Sequence, residues 1–160
     1  MAEGIKRIIF LDIDGVCAGY EYLGTGRGYI DPNCIKHLNK LAEIGAEVVI
    51  SSSWGYDEGR TEKSLRDCGL ILPIIGYTEH FHCEWQCRGN EIEKWLLDTF
   101  GGMATKFGGL YQNRDYEYVI FDDDTDMLLG QKDNFIQTDE RIGLTTEDIN
   151  KAIKILTRYE

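Results

Sequence analysis

The sequence lacks an apolar stretch long enough to cross a membrane, and its first residues carry no signal-peptide pattern. Basic side chains are also scarce, since 17 Lys and Arg stand against 28 Asp and Glu and leave a formal net charge of −11. Proteins that bind nucleic acids or membrane surfaces without specificity need a basic face. We therefore expect a cytoplasmic protein with no membrane partner, and charge does not favour nucleic acid as its partner.

Internal repeats, low-complexity segments and interdomain linkers are missing as well, and 160 residues are enough to bury one core of ordinary size. The content of 42% hydrophobic and 11% aromatic residues is typical of a globular protein. The five cysteines are an odd number and are scattered along the chain, which favours reduced thiols over a disulfide framework. We predict a single domain over residues 1–160.

Short apolar runs alternate along the chain with segments of helical periodicity. The predicted strands cover residues 8–11, 47–51, 70–75, 116–121 and 135–137. The predicted helices cover residues 31–45, 61–68, 90–101 and 145–159, with loops at 17–30, 76–89 and 103–115. Alternating strands and helices predict an α/β fold in three layers, a Rossmann-like parallel sheet flanked by helices on both faces.

Polar side chains follow three of these strands at the point where each strand ends. Asp12 and Asp14 follow the first, and alternation along a strand would send them to the same side. Ser51 and Ser52 follow the second, and an acidic run at 122–126 follows the fourth. Because the carboxyl ends of parallel strands meet at one edge of the sheet, we expect a common site there.

The chemistry of these side chains indicates a metal. Carboxylates in close contact repel one another unless a cation lies between them. Oxygen ligands without an adjacent His or Cys favour a hard cation such as Mg²⁺, which pairs with phosphate oxygens. A carboxylate in such a site can attack phosphorus, and a second one can protonate the leaving oxygen. A hydroxyl and a cationic side chain would hold the phosphoryl oxygens.

Four segments resemble the motifs of the haloacid dehalogenase (HAD) superfamily of phosphohydrolases and occur in that family's order. Asp12-Ile13-Asp14-Gly15-Val16 resembles the first motif, and residues 48–52 resemble the second, a strand that ends in Ser or Thr. Arg88, at the start of a helix, fits the basic residue of the third, and residues 120–126 resemble the acidic fourth. The Ser-Ser-Ser-Trp run and the Arg-Gly-x-Glu-Ile helix are similar to a compact branch found as a domain in some RNA-repair proteins.

The resemblance implies a role for each acidic residue. Asp12 would be the nucleophile, and Asp14 would be the general acid and base. Mg²⁺ would be held by the Asp12 carboxylate, the backbone carbonyl of Asp14 and Asp123. Asp122 and Asp126 would support the metal shell.

The resemblance also implies the groups that bind the phosphoryl oxygens. Ser52 or Ser51 would supply the hydroxyl, since the run of serines leaves the register open by one residue, and Arg88 would neutralise the phosphoaspartate. Two alternatives stay open. The serines could instead cap the turn that follows the strand, and Arg88 could pair with Glu91 or Glu84 on the surface.

Many members of this superfamily carry a cap domain over the substrate. The segments 17–30 and 76–89, where a cap would be inserted, are too short to form one. We therefore expect a capless member without a separate cap domain. An open site suits a large phosphorylated substrate, or a partner or oligomer that supplies the lid.

The leading hypothesis is thus a Mg²⁺-dependent phosphomonoester hydrolase that acts through an aspartyl-phosphate intermediate. One alternative is a polynucleotide 3′-phosphatase that processes nucleic-acid ends, in which case a partner would provide the grip that the acidic chain lacks. Another is a catalytically silent domain that keeps the HAD fold and binds a partner.

One cluster has no place in the family pattern. His80, His82, Cys83 and Cys87 lie close together in the sequence before Arg88. Two His and two Cys are an allowed ligand set for Zn²⁺, although the spacing matches no standard zinc finger. The two histidines could instead be exposed residues of a substrate-binding loop.

Overall fold

The computed structural model describes residues 4–81, 86–101 and 115–160. Within these residues the chain forms a five-stranded sheet in which every neighbouring pair is parallel. The strands, in the spatial order β3-β2-β1-β4-β5, are β1 (Lys6–Leu11), β2 (Ala46–Ile50), β3 (Ile74–Tyr77), β4 (Tyr116–Asp122) and β5 (Phe135–Gln137). The parallel α/β sheet predicted from the alternating pattern is confirmed.

Helices cover both faces of this sheet. They are α1 (Tyr20–Leu23), α2 (Pro32–Leu38), α3 (Glu58–Asp67), α4 (Arg88–Phe100) and α5 (Thr146–Leu156), with 3₁₀ turns at Asn39–Ile44, Ser53–Asp57 and Leu129–Asn134. Helices α2, α3 and α5 pack on the face that carries Ile9 and Leu11. Helix α4 packs on the face that carries Ile8 and Phe10.

The central position of β1 follows from its composition. Ile8, Ile9, Phe10 and Leu11 are all 0% exposed, because consecutive residues of a strand point to opposite faces and both faces are covered here. Phe10 makes edge-to-face contacts with Trp95 of α4, at 5.5 Å between ring centroids, and with Tyr118 of β4. An uninterrupted apolar run is therefore required at this strand.

Two helix starts lie where their capping residues predict. The Asp31 carboxylate accepts a hydrogen bond from the backbone N–H of Asn33 at 2.9 Å, and Pro32 occupies the first turn of α2. Thr145 and Asp148 form a reciprocal capping box at α5, in which each side chain accepts from the other's backbone N–H. These caps act within three residues, which is why the sequence alone reveals them.

The predicted third strand is misplaced. Residues 70–75 were expected to be extended, whereas β3 begins at Ile74 and ends at Tyr77. Leu70 and Leu72 are buried, as expected of apolar residues, but their carbonyl groups accept hydrogen bonds from the Arg66 guanidinium at 2.9 and 2.7 Å. An arginine side chain thus replaces the neighbouring strand as hydrogen-bond donor in this segment.

Three helix boundaries also differ from the prediction. Residues 31–45 change from α-helix to 3₁₀ helix at Asn39, and α3 begins at Glu58, where the Asp57 carboxylate accepts from the Arg60 N–H at 3.0 Å. Helix α4 begins at Arg88 and not at Asn90. The Arg88 N–H donates to the Asp126 carboxylate at 2.7 Å, so this helix is capped from across the chain.

The expected absence of a cap domain agrees with the described segments. Between β1 and α2 the chain forms the single short turn of helix α1, so the predicted loop at 17–30 is partly helical. The predicted loop at 103–115 lies, apart from Asp115, outside the described residues. No helix among the described residues combines the length and the apolar character that a membrane span needs. Four cysteines of the described chain are free thiols, Cys17, Cys34, Cys68 and Cys87.

Candidate active site

The strand register brings polar residues from four strands to one edge of the sheet. Leu11 of β1 pairs with Ile50 of β2 and with Phe121 of β4, and Ile50 pairs with Tyr77 of β3. The next row across the sheet is Thr78, Ser51, Asp12 and Asp122. Backbone hydrogen bonds hold this row together, including those from Ser51 N to the Leu11 carbonyl at 2.8 Å and from Asp12 N to the Phe121 carbonyl at 3.1 Å.

Three carboxylates converge in this row. Oxygen atoms of Asp12, Asp122 and Asp123 all lie within 4.8 Å of one another, and Asp122 is only 2% exposed. The turn after β1 packs tightly against the cluster, because a Cβ at Gly15 would lie 2.4 Å from Cγ of Asp123. Asp122, which the resemblance assigned to a supporting position, therefore lies in the same group of oxygens as Asp12 and Asp123. A buried all-oxygen donor set of this kind fits a hard divalent cation.

The close approach of these acids changes their affinity for protons. Burial raises the pKa of Asp12 to about 6, an effect partly offset by a hydrogen bond from Ser52 and by the charge of Arg88. Burial, followed by repulsion from Asp12, raises the pKa of Asp122 to about 8. Burial also raises the pKa of Asp123. Without a cation, each of these carboxyl groups therefore keeps its proton to a higher pH than an isolated aspartate does.

We expect Mg²⁺ to stabilise the protein more at alkaline than at acidic pH. The folded-state pKa values of Asp12 and Asp122, about 6 and about 8, lie above the ordinary value of 3.8, so the folded state binds more protons than the unfolded chain between these values. Stability of the metal-free protein is consequently lost as the pH rises through this window. Mg²⁺ offsets that loss of stability. The difference between the melting temperatures measured with and without Mg²⁺ should therefore widen from about pH 5.5 to about pH 8.5.

A variant provides the control for this experiment. Asp122→Asn keeps the shape of the side chain but cannot ionise, so the metal-free melting temperature should fall less steeply above about pH 6 than in the wild type. If the gap produced by Mg²⁺ were the same at every pH, the carboxylate cluster would not be the binding site.

Asp14 lies outside the group of three converging carboxylates. β1 ends at Leu11, so the alternation expected to align Asp14 with Asp12 does not extend to it. Its side chain is exposed and accepts a hydrogen bond from the indole N–H of Trp54 at 3.1 Å. In the sequence, Trp54 is notable only as the end of the Ser-Ser-Ser-Trp run, and its contact with a residue 40 positions away is not visible in any local pattern.

The two serines have different surroundings. The Ser52 hydroxyl lowers the pKa of Asp12, and it accepts from the Trp54 backbone N–H at 3.3 Å, so Ser52 caps the following turn as one alternative predicted. The Ser51 hydroxyl is buried and has no hydrogen-bond partner in the described part of the chain. The Thr78 hydroxyl, farther along the same row, is also buried and without a hydrogen-bond partner among the described residues.

Arg88 stands at the junction of the acidic cluster and α4. Its Nε lies 3.5 Å from the Asp122 carboxylate, and a terminal guanidinium nitrogen lies 3.2 Å from the Glu91 carboxylate. The pairing with Glu91 was foreseen as a surface contact, but the Glu91 side chain is fully buried. Glu84, the other suggested partner, lies outside the described residues. The Asp126 carboxylate accepts a hydrogen bond from the Arg88 backbone N–H and so caps α4.

His80 belongs to this network as well. One ring nitrogen lies 3.1 Å from the Glu91 carboxylate and the other 2.8 Å from the Ser52 carbonyl oxygen, while the ring stacks on Tyr56. Both nitrogens are therefore engaged by protein oxygens, which leaves His80 unsuited to the predicted Zn²⁺ site. His82 and Cys83 lie outside the described residues. The prediction from sequence missed the contact between His80 and the buried Glu91. The one local signal of this network was the spacing of Arg88 and Glu91, which lie three residues apart.

Comparison with known proteins agrees with this arrangement. A family model described as the HAD domain in Swiss Army Knife RNA repair proteins matches residues 8–149. The matched span contains every strand from the apolar core of β1 to β5 and all the site residues discussed above. No curated protein matches the chain.

Proposed function

We propose, since this chain belongs to the family of HAD domains in Swiss Army Knife RNA repair proteins, that it is a Mg²⁺-dependent phosphomonoester hydrolase. The observation that carries the proposal is the convergence of Asp12, Asp122 and Asp123 beside the serines of β2 and Arg88. Acidic groups, hydroxyls and a guanidinium at one edge of a parallel sheet are the components that phosphoryl transfer needs.

The carboxylates of Asp12, Asp122 and Asp123 would hold Mg²⁺, with the Asp14 backbone carbonyl as the further ligand that the family resemblance implies. The donor set fits, because it consists of oxygens, is largely buried and carries a negative charge that a cation would offset. The ion supplies neutralisation of charge at the carboxylates and at the phosphoryl oxygens.

In the first half-reaction the Asp12 carboxylate attacks phosphorus. A bond forms between its oxygen and phosphorus, and the bond from phosphorus to the leaving oxygen breaks. Asp14 gives its proton to that oxygen, so the product leaves as a neutral alcohol. The Trp54 indole N–H, which donates to Asp14, would orient this acid. Arg88 would offset negative charge on the phosphoryl group.

In the second half-reaction the roles reverse. Asp14, now ionised, takes a proton from a water molecule that attacks the phosphoaspartate. The bond between phosphorus and the Asp12 oxygen breaks, which regenerates the carboxylate and releases inorganic phosphate. The exposure of Asp14 gives water access to this base.

Ser51 should be needed for substrate binding but not for stability. A buried hydroxyl without a partner costs folding energy, so Ser51→Ala should leave the free energy of unfolding unchanged or slightly higher. The same hydroxyl would donate to a phosphoryl oxygen, so kcat/KM should fall about 10-fold or more. Thr78→Val is the matched control, because it deletes the other unpartnered hydroxyl two strands away from Asp12. Equal losses of kcat/KM in the two variants would contradict the assignment.

The proposed function is tested with a substrate panel. We expect the purified chain to hydrolyse a generic aryl phosphate with Mg²⁺ and to stop when a chelator removes the ion. The same assay across sugar, nucleotide, peptide and oligonucleotide phosphates ranks the substrate classes. Absence of turnover across the panel, under conditions where Mg²⁺ is shown to bind, would instead favour a partner-binding module that keeps the fold.

A second candidate is the processing of nucleic-acid ends, in particular removal of a 3′-phosphate. It is favoured by the match to a family described from RNA repair proteins. The net charge of −11 opposes tight binding along a nucleic-acid backbone, so recognition would be confined to the end or aided by a partner. An oligonucleotide 3′-phosphate that is hydrolysed no faster than a small phosphate ester would exclude this candidate.

A further inference from the structure

A cavity of about 630 Å³ lies between the segment that follows β1 and helix α3. This volume lies within the range of sites that hold small molecules. Most of its large lining side chains are aromatic or cationic, namely Tyr22, Arg27, Tyr29, Trp54, Tyr56 and Arg60. None of these residues has a role in the phosphoryl chemistry beyond the hydrogen bond from Trp54 to Asp14.

One residue of the cavity wall contacts the acid that the proposed mechanism assigns to the leaving group. The acid that protonates the leaving oxygen must face it, and this acid is Asp14 in the proposed mechanism. Asp14 is hydrogen-bonded to the Trp54 indole, and Trp54 is itself part of the cavity wall. Ser53 and Trp54 follow Ser52 directly in the chain, so the wall begins where the serine run ends.

The lining chemistry suits a flat ring next to negative charge. Tyr29 and Tyr56 are 74% and 73% exposed, which is unusual for aromatic side chains that share one cavity. The Arg27 guanidinium already lies over the Tyr22 ring, 5.6 Å from its centroid. Aromatic and guanidinium planes are the surfaces on which nucleobases stack, and guanidinium groups also pair with phosphodiesters.

We propose that this cavity is the leaving-group subsite and that it binds a nucleoside, with the base against the aromatic side chains. The inference rests on the proposed function for the position of the phosphoryl group. A phosphotyrosine peptide would place one ring in the cavity but, apart from its phosphate, brings no anion to Arg27 and Arg60 beyond the Asp57 and Asp67 carboxylates that already line the cavity. A nucleotide chain offers a base to the tyrosines and a neighbouring phosphodiester to Arg27 or Arg60.

The test measures binding and not turnover. Titration calorimetry on Asp12→Asn should show a 3′-phosphorylated dinucleotide binding about 10-fold more tightly than ribose phosphate, which has no base. Replacing both Tyr22 and Tyr29 by Leu should remove that preference and leave the affinity for ribose phosphate unchanged. Tyr159→Leu, an exposed tyrosine that stacks with Arg158 near the C-terminus, is the matched control and should behave as the parent protein.

Each result is decisive. Equal affinities for the dinucleotide and ribose phosphate, or a preference that survives loss of both tyrosines, would overturn the subsite. So would tighter binding of a phosphotyrosine peptide. Turnover of an aryl phosphate by the wild-type chain, measured in parallel, reports on the proposed function separately. A nucleoside preference without any turnover would support the subsite while contradicting the hydrolase.

A second inference comes from the buried carboxylate of Glu91. This side chain is fully buried, and it accepts hydrogen bonds from the Arg88 guanidinium at 3.2 Å, the His80 ring at 3.1 Å and the Phe81 backbone N–H at 3.3 Å. The Gln86 side-chain amide also donates to it. A carboxylate in such a setting is tolerated because both of its oxygens accept hydrogen bonds, three at Oε1 and one at Oε2.

Glu91 thereby joins two groups that meet the phosphate in the proposed mechanism. On one side it holds Arg88. On the other it holds His80, whose second nitrogen lies 2.8 Å from the Ser52 carbonyl oxygen. The His80 ring thus connects the Glu91 carboxylate with the Ser52 backbone. We infer that Glu91 is a positioning residue that, under the proposed function, sets Arg88 and Ser52 for phosphate.

A double-mutant cycle with inorganic phosphate tests this role without relying on turnover. Glu91→Gln should weaken phosphate binding about 10-fold in the wild-type background but only about 3-fold or less when Arg88 is already Ala, because only its effect on Ser52 through His80 then remains. A purely structural role would reduce affinity equally in both backgrounds, and that result would overturn the inference. His80→Gln should show an intermediate loss, and comparison of melting temperatures identifies any variant that fails to fold.

Discussion

Replacing Asp12 by Asn will reduce turnover at least about 10⁴-fold while leaving the protein folded. The amide has the shape of the carboxylate but cannot form the bond to phosphorus, so the covalent step is lost. A second effect distinguishes this variant from a damaged protein. Burial raises the pKa of Asp12 to about 6, so ionised Asp12 destabilises the metal-free fold at neutral pH. The neutral amide removes this cost, and the metal-free melting temperature should rise.

The measurement pairs aryl phosphate hydrolysis with thermal unfolding in a chelator. Asp133→Asn is the matched control, because it makes the same change at an exposed residue that precedes β5, away from the strand ends that carry the site. The control should match the wild type in both assays. Full activity in Asp12→Asn would falsify the assignment of the nucleophile, even if the metal site were correct.

Gly15→Ala should remove Mg²⁺ binding and destabilise the protein through a single methyl group. Gly15 has a φ of +73°, and a Cβ there would lie 2.4 Å from Cγ and 2.5 Å from Oδ2 of Asp123. The substitution therefore forces Asp123 out of the cluster. We expect a loss of about 1 kcal/mol for the left-handed backbone and a further 1–3 kcal/mol for the overlap, with Mg²⁺ affinity reduced about 10-fold or more.

Gly26→Ala separates the cost of the left-handed backbone from the cost of the overlap with Asp123. Gly26 has nearly the same φ, +69°, and a Cβ there meets nothing within 4 Å. It should show the cost of the backbone conformation alone and retain the stabilisation by Mg²⁺. Denaturant unfolding of both variants with and without Mg²⁺ gives the comparison. If Gly15→Ala responded to Mg²⁺ as Gly26→Ala does, Asp123 would not be a ligand.

Local patterns predicted the parts of the fold that depend on near neighbours. The apolar run of β1 predicted a strand covered on both faces, and the caps at Asp31 and Thr145 predicted helix starts, because each interaction joins residues at most three positions apart. The order of the motifs also predicted the family, and the alternation of strands with helices predicted the parallel sheet. Since parallel strands share a direction, residues at their carboxyl ends must meet at one edge, and the sequence alone therefore predicts where the candidate site lies.

Tertiary structure alone decided the interactions that cross the chain. The Arg66 guanidinium donates hydrogen bonds to the carbonyls of Leu70 and Leu72, and β3 begins only after these residues. Asp126 caps α4 from 38 residues away. Asp122 joins Asp12 through the register of β1 with β4. Glu91 has the same sequence signature as an exposed helical ion pair, but it is buried because its helix face turns toward the site. Burial and partners at long range depend on packing, and no local pattern contains that information.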